Sequence, residues 1–290
     1  MVHLFATKND NSCAAVLEKK PSLVYNCVKA AVRVLRQPFM KGIVFKMNIK
    51  DQIKVCRDYD EMSRMAAEVF ADYIKKNPNG ILGLATGSSP EGLYACLVEK
   101  YKKGELDFSG ITSYNLDEYY PITPDNDQSY RYFMNHHLFD HVNINKEHTY
   151  VPDGTAADPD AFCRAYDAAI KAAGGIGLQL LGVGQNGHIG FNEPADELIG
   201  GTHLTELTES TIDANSRFFA SRDDVPRHAI TMGIDNIMEA DGVVLVVSGK
   251  NKHKALMALI NAPEDPHIPV TMLRKHKNLM VFCDEAAYNG

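Results

Sequence analysis

Ile81-Leu82-Gly83-Leu84-Ala85-Thr86-Gly87-Ser88-Ser89-Pro90-Glu91 is the stretch of this 290-residue chain on which the fold turns. Residues 81–85 are a short apolar run bounded by turn signals, which reads as a buried strand. Thr86 to Pro90 supply glycine, hydroxyls and proline, and a helical period then runs over 91–103. A strand that passes through a tight turn into a helix is the repeating unit of a parallel sheet. The unit recurs on both sides. Upstream, residues 52–56 alternate as a strand, and Asp58 and Glu61 form a capping box. Met62, Met65, Ala66, Val69, Phe70 and Tyr73 then share one helical face until Asn77-Pro78-Asn79-Gly80 stops it. Downstream, strands over 111–116, 178–183, 243–248 and 279–283 alternate with helices over 129–139, 158–173 and 252–261. The order predicts an α/β fold, a doubly wound and mostly parallel sheet with helices on both faces. Such a sheet binds its ligand beyond the carboxyl ends of the strands, at a switch point.

Composition narrows the function. Apolar residues make up 45% of the chain and charged ones 23%, ordinary for a soluble globular protein. No uninterrupted apolar run reaches the roughly 18 residues of a membrane span. A net charge of −7 argues against nucleic acid, yet a few local donors suffice to hold a small anion. Cys13, Cys27, Cys56, Cys96, Cys163 and Cys283 are scattered with no C-x-x-C pair, a pattern of reduced thiols that suits the cytoplasm. The first 46 residues differ from the rest: eight Lys/Arg stand against two Asp/Glu, which leaves −13 for the remainder. Within them, residues 23–35 suit a short amphipathic helix between Pro21 and Pro38. The segment reads as a dispensable extension, as a start placed too early with Met40 or Met47 the true one, or as a transit peptide. Residues 47–290 then form a single catalytic domain.

Three irregular segments follow three strands and are expected on one edge of the sheet. Thr86, Gly87, Ser88 and Ser89 offer backbone N–H groups and a helix dipole to an anion, though a plain βα turn uses the same residues. Asn115-Leu116-Asp117-Glu118-Tyr119-Tyr120 puts two adjacent carboxylates at a strand end, facing opposite sides. One suits a cleft; a polar cap of something nearby is the alternative. The third segment, Gly182 to Pro194, has four glycines in nine positions around His188, with Glu193 five residues further on to set the imidazole tautomer. Arg217, and the cluster Lys250, Lys252 and Lys254 at a helix start, are candidate cations for an anion. His136, His137 and His267 lack metal-ligand spacing with carboxylates.

In order and spacing, residues 84–90, 115–119, 182–194 and 214–219 resemble the glucosamine-6-phosphate deaminases, over a span from about Met47 to the end. The most specific part is Gly184-Gln185-Asn186-Gly187-His188-Ile189-Gly190-Phe191-Asn192-Glu193-Pro194. The resemblance implies conversion of glucosamine 6-phosphate and water to fructose 6-phosphate and ammonia, with no metal or organic cofactor. It implies Asp117 as the general base with Glu118 beside it at the substrate, His188 as the ring opener and Glu193 as its orienting carboxylate. Asn186 stands in the histidine's relay, where some members carry aspartate. Thr86, Gly87, Ser88 and Ser89 correspond to the phosphate loop, and Arg217, in a lid around 207–230, and Lys254 to the phosphate cations. Members activated by N-acetylglucosamine 6-phosphate are hexamers that use a serine, an arginine and a lysine after the F-N-E-P motif. Asp196, His203 and Thr205 replace them, so a monomer or small homo-oligomer without that regulation is expected. The wider superfamily holds 6-phosphogluconolactonases, which need no base at C2, and sugar-phosphate sensors, which normally carry a preceding helix-turn-helix. Preference between the glucosamine and galactosamine epimers is not separated by these residues.

Overall fold

Strands with no polar face to show build the centre of the molecule. A computed structural model describes residues 49–290. The expected extension over 1–46, with its helix over 23–35, lies outside the described residues. The large sheet holds seven strands: β1 (Ile53–Cys56), β2 (Ile81–Leu84), β3 (Thr112–Asn115), β5 (Thr149–Tyr150), β6 (Leu178–Leu181), β9 (Val243–Val247) and β10 (Leu279–Asp284). Its order is β1-β10-β9-β6-β2-β3-β5, and every pairing is parallel. All five residues of β9, four of them valine, are buried, as a central parallel strand covered on both faces requires. The expected doubly wound α/β sheet is present.

The helices in chain order are α1 (Tyr59–Lys76), α2 (Glu91–Lys102), α3 (Tyr130–His137), α4 (Pro159–Ala173), α5 (Glu209–Asn215), α6 (Ile234–Met238), α7 (His253–Asn261) and α8 (Glu285–Asn289). α1 buries Met62, Ala66, Phe70 and Ile74 at helical spacing and packs on α2, β9 and β10. Each large side chain buried in this way stabilises by roughly 1.5–3 kcal/mol. The α1 N-terminus differs in one bond from a capping box. Asp58 accepts from Glu61 N–H at 2.8 Å, but Glu61 reaches past Asp58 to the N–H of Arg57, also at 2.8 Å. The Arg57 guanidinium pairs with the same carboxylate and draws it one residue further. No helix among the described residues is long and apolar enough to cross a membrane.

A second sheet was not expected. Strands β4 (Asp117–Tyr120), β8 (His228–Thr231) and β7 (His203–Glu206) pair antiparallel in the order β4-β8-β7. The strand expected over 111–116 therefore ends early. Leu116 is the changeover: its N–H donates to Leu84 in the large sheet at 3.0 Å, and its carbonyl accepts from Met232 N–H, beyond β8, at 2.7 Å. A separate small core of Tyr119, Ile122, Phe191, Leu207, Ile212, Val225 and Ala229 backs this sheet.

The strand order places the switch point. From β2 the chain moves outward to β3 and β5, returns to β6 on the other side of β2, and proceeds to β9 and β10. The turns leaving β2 and β6 diverge, and a crevice opens between them.

Candidate active site

That crevice is a cleft of about 800 Å³ lined by the three expected segments together with parts of α5, the turn after it, and the turn after β9. Thr86, Gly87, Ser88 and Ser89 form its floor beside Gly182 and Val183. The floor is fastened from behind by two tyrosines. Tyr94 donates to the carbonyl of Ala85 at 2.6 Å. Tyr59 donates to the carbonyl of Ser88 at 2.9 Å and accepts from Gly92 N–H at 2.8 Å. Pro90 stands just before the first residue of α2 rather than as that residue, and no side chain caps the helix.

The two carboxylates separate as alternation along a strand dictates. Asp117 lines the cleft; its carboxylate accepts no hydrogen bond among the described residues. Burial, reinforced by the neighbouring Glu118 charge, lifts it from the ordinary 3.8 to about 8. Glu118 does not line the cleft, which corrects the expectation that it touches substrate. Its carboxylate turns to the N-terminus of α3 and accepts from Tyr130 N–H at 2.8 Å and Arg131 N–H at 2.9 Å, and from Tyr119 N–H at 2.9 Å. Burial raises it to about 7 against the pull of those three donors. The cap also sets Tyr130, whose ring lines the cleft and stacks on Phe191, 3° from parallel with centroids 6.1 Å apart.

The glycine frame around His188 has a steric cause. A Cβ on Gly184 would stand 2.3 Å from His188 Cε1, so only glycine lets the imidazole lie against the loop. Gly190, at φ +58°, brings the backbone so close that a Cβ would be 2.9 Å from Thr231 Oγ1 and 3.4 Å from Asp117 Oδ2. The histidine loop and the Asp117 strand thus meet at Gly190.

His188 Nδ1 lies 3.3 Å from Glu193 Oε2, close to the carboxylate but not in a well-aligned hydrogen bond. Asn186 joins both: its Nδ2 donates to Glu193 Oε2 at 2.7 Å, and its Oδ1 accepts from His188 N–H at 3.2 Å. The Thr211 hydroxyl on α5 donates to Glu193 Oε1. Burial opposes the Glu193 charge, but His188, Thr211 and Asn186 together overcome it and hold the carboxyl down at about 2.

Of the expected cations, Arg217 lines the cleft from the turn Ser216–Phe218. Lys254 does not. It sits exposed in the first turn of α7, and Lys252, two residues earlier, lines the cleft instead. The turn Lys250–Lys252 precedes the helix, so Lys252 faces the floor while Lys254 has already rotated away. Lys252 has no ion-pair partner among the described residues. Its burial, and then the charge of Arg217, push its pKa down. Two cations that repel each other beside a turn rich in N–H and hydroxyl groups suit a doubly charged anion.

Tyr59, Tyr130 and Thr211 were not singled out by sequence, and Lys252 was named only within its cluster. Lys252 alone had a usable signal, as a member of the lysine cluster, and its register against the turn decides it.

The family model for glucosamine-6-phosphate isomerases and 6-phosphogluconolactonases matches residues 58–282. The chain belongs to this family. Within the family it is 53% identical over 233 residues to a glucosamine-6-phosphate deaminase of Clostridium perfringens (strain ATCC 13124), an alignment covering 80% of this chain and 96% of that one. The solved structure of a monomeric glucosamine-6-phosphate deaminase superposes with a TM-score of 0.81 at 39% identity, over 82% of this chain and 99% of the other. A 6-phosphogluconolactonase of Trypanosoma cruzi superposes with a TM-score of 0.67 at 19% identity, over 84% and 98% respectively, a likeness of fold. The family members nearest in identity among these carry the deaminase name, in accord with a cleft that has a carboxylate opposite its histidine.

Proposed function

We propose that the cleft converts glucosamine 6-phosphate and water to fructose 6-phosphate and ammonia. One observation carries the reading. Asp117, a buried carboxyl raised to about 8, and His188, which Glu193 backs from outside, line a single cleft, and their strand and loop meet at Gly190. The phosphate is held by the Thr86–Ser89 turn, Arg217 and Lys252, with charge-assisted bonds worth roughly 1.5–3 kcal/mol each. With Nδ1 toward Glu193, His188 exchanges protons at Nε2. It moves a proton from O1 to O5, and the pyranose opens. Asp117 then removes the C2 proton to give an enolamine and returns a proton to C1. The C2 iminium so formed adds water, and ammonia leaves as the carbonyl of the ketose forms. A carboxyl at about 8 is a strong base once ionised, and a substrate ammonium beside it favours the ionised form.

Asp196, His203 and Thr205 offer an effector phosphate a carboxylate and no permanent cation, so we assign the enzyme a monomeric or small oligomeric, unregulated form. Ammonia release from glucosamine 6-phosphate, measured beside its galactosamine epimer and 6-phosphogluconolactone, tests the reading. Hydrolysis of the lactone without ammonia release from either amino sugar would overturn it.

A further inference from the structure

The turn that carries Lys252 is held from behind by a carboxylate outside the cleft. Asp284 ends β10, which lies beside β9 with Cys283 level with Val247. Only 5% of Asp284 is exposed, and it has no ion-pair partner among the described residues. Its carboxylate accepts the Ser248 hydroxyl at 2.5 Å and shares the Gly249 N–H between both oxygens at 3.1 Å. The same group caps α8 by accepting from Ala287 N–H at 2.7 Å. Gly249 takes a positive φ of +92°, and its carbonyl accepts Lys252 N–H at 3.0 Å to close the turn. Ser248, Asn251 and Lys252 line the cleft, whereas Asp284 does not.

The direction of these bonds matters. The Ser248 hydroxyl and the Gly249 N–H would otherwise be natural donors to an anion at this strand end. Both hydrogens point into Asp284. The turn is left with its side chains, Asn251 and Lys252, to meet a phosphate, and their placement depends on where Gly249 is held. We infer that Asp284 is a positioning residue for the phosphate subsite: it fixes the Ser248–Lys252 turn so that the Lys252 ammonium reaches the anion. The inference rests on the phosphate reading of Lys252 and Arg217.

Asp284→Ser separates this role from the helix cap. Serine is a good N-cap and retains the bond to Ala287, but it is too short to hold Ser248 and Gly249 as well. The expected result is a rise of about tenfold in KM for glucosamine 6-phosphate with kcat within about twofold, because the phosphate lies away from the reacting carbon. Inhibition by inorganic phosphate should weaken in parallel. Asp284→Thr, a second N-cap residue too short to reach Ser248 and Gly249, should shift KM and the inhibition constant for phosphate the same way; it serves if the serine variant fails to fold. Lys252→Ala is measured alongside. If it leaves inhibition by phosphate unchanged, the phosphate reading of the site fails. If Lys252→Ala weakens phosphate inhibition while Asp284→Ser changes only the melting temperature, or only kcat, the positioning role is overturned and the cap alone stands.

Discussion

Asp117 owes its raised carboxyl first to burial and then to the charge of Glu118, so the free enzyme should show it in its pH profile. The acid limb of kcat/KM is expected near pH 8, far above an ordinary aspartate. Asp117→Asn should cut turnover by at least about 10²–10⁴-fold and stop exchange of the substrate's C2 proton with solvent, read by NMR. Stability should move the other way. A carboxyl whose pKa is raised on folding costs nothing below its unfolded value, and the cost grows as pH climbs from about 3.8 to about 8. The melting temperature of Asp117→Asn relative to the native protein should therefore rise across that window and level off above it. A flat difference would mean that Asp117 is not raised. Arg217→Ala should raise KM about tenfold or more with little loss at saturation, since binding of a remote phosphate is shared by ground and transition states. Lys254→Ala should leave KM as it was, because Lys254 points to solvent. Here the sequence was half legible. The Asp117–Glu118 pair at a strand end and His188 with Glu193 among glycines stood out as unusual patterns, while the choice of Asp117 over Glu118 and the place of Asn186 came from the family resemblance. Lys252 and Lys254 are alike in type and two residues apart, and only the rotation of the α7 start tells them apart.

At the scale of elements, Glu118 joins β4 to α3. Its carboxylate answers two free N–H groups of the helix, so Glu118→Gln leaves one oxygen to accept and sets an amide N–H among donors. A loss of about 1–2 kcal/mol is expected, measured by denaturant unfolding. The same change removes the like charge beside Asp117, so the acid limb of kcat/KM should move to lower pH. A lower stability with an unmoved limb would show that the cap is real but the electrostatic coupling is not. Apart from the two-residue β5, for which no strand was expected, the strands of the large sheet and the longer helices between them were legible to within a residue or two, since buried parallel strands are continuous apolar runs and helices repeat every 3.6 residues. The small sheet was not. β7 is only partly buried, and only Leu116 separates β4 from β3, so neither carries an apolar pattern of its own.

For the whole molecule, the expectation is an independent catalytic body downstream of residue 46. Removal of residues 1–46 should leave kcat and KM unchanged, and an inactive truncation would show that the extension contributes to the fold. Rates against glucosamine 6-phosphate should be hyperbolic, with no response to N-acetylglucosamine 6-phosphate. At the effector position, Asp196 is fully exposed and pairs with His267 at 3.0 Å, while His203 Nδ1 lies 2.9 Å from the Gly201 carbonyl. A phosphate there would meet an anion and a histidine already engaged, and an effector without differential affinity cannot shift an equilibrium. Sigmoidal rates that straighten on adding the N-acetyl sugar phosphate would defeat this. What the sequence determined by itself is the α/β alternation, the edge of the sheet that bears the site, and the residue types of the chemistry, because each follows from local periodicity or from glycine and proline punctuation. What only the tertiary structure decided is which of two neighbouring carboxylates lines the cleft, which of the clustered lysines does so, and which buried groups fasten the turns. Those choices depend on side-chain direction and on partners far apart in the chain, such as Glu118 with Arg131 or Asp284 with Ser248, and no local pattern encodes them.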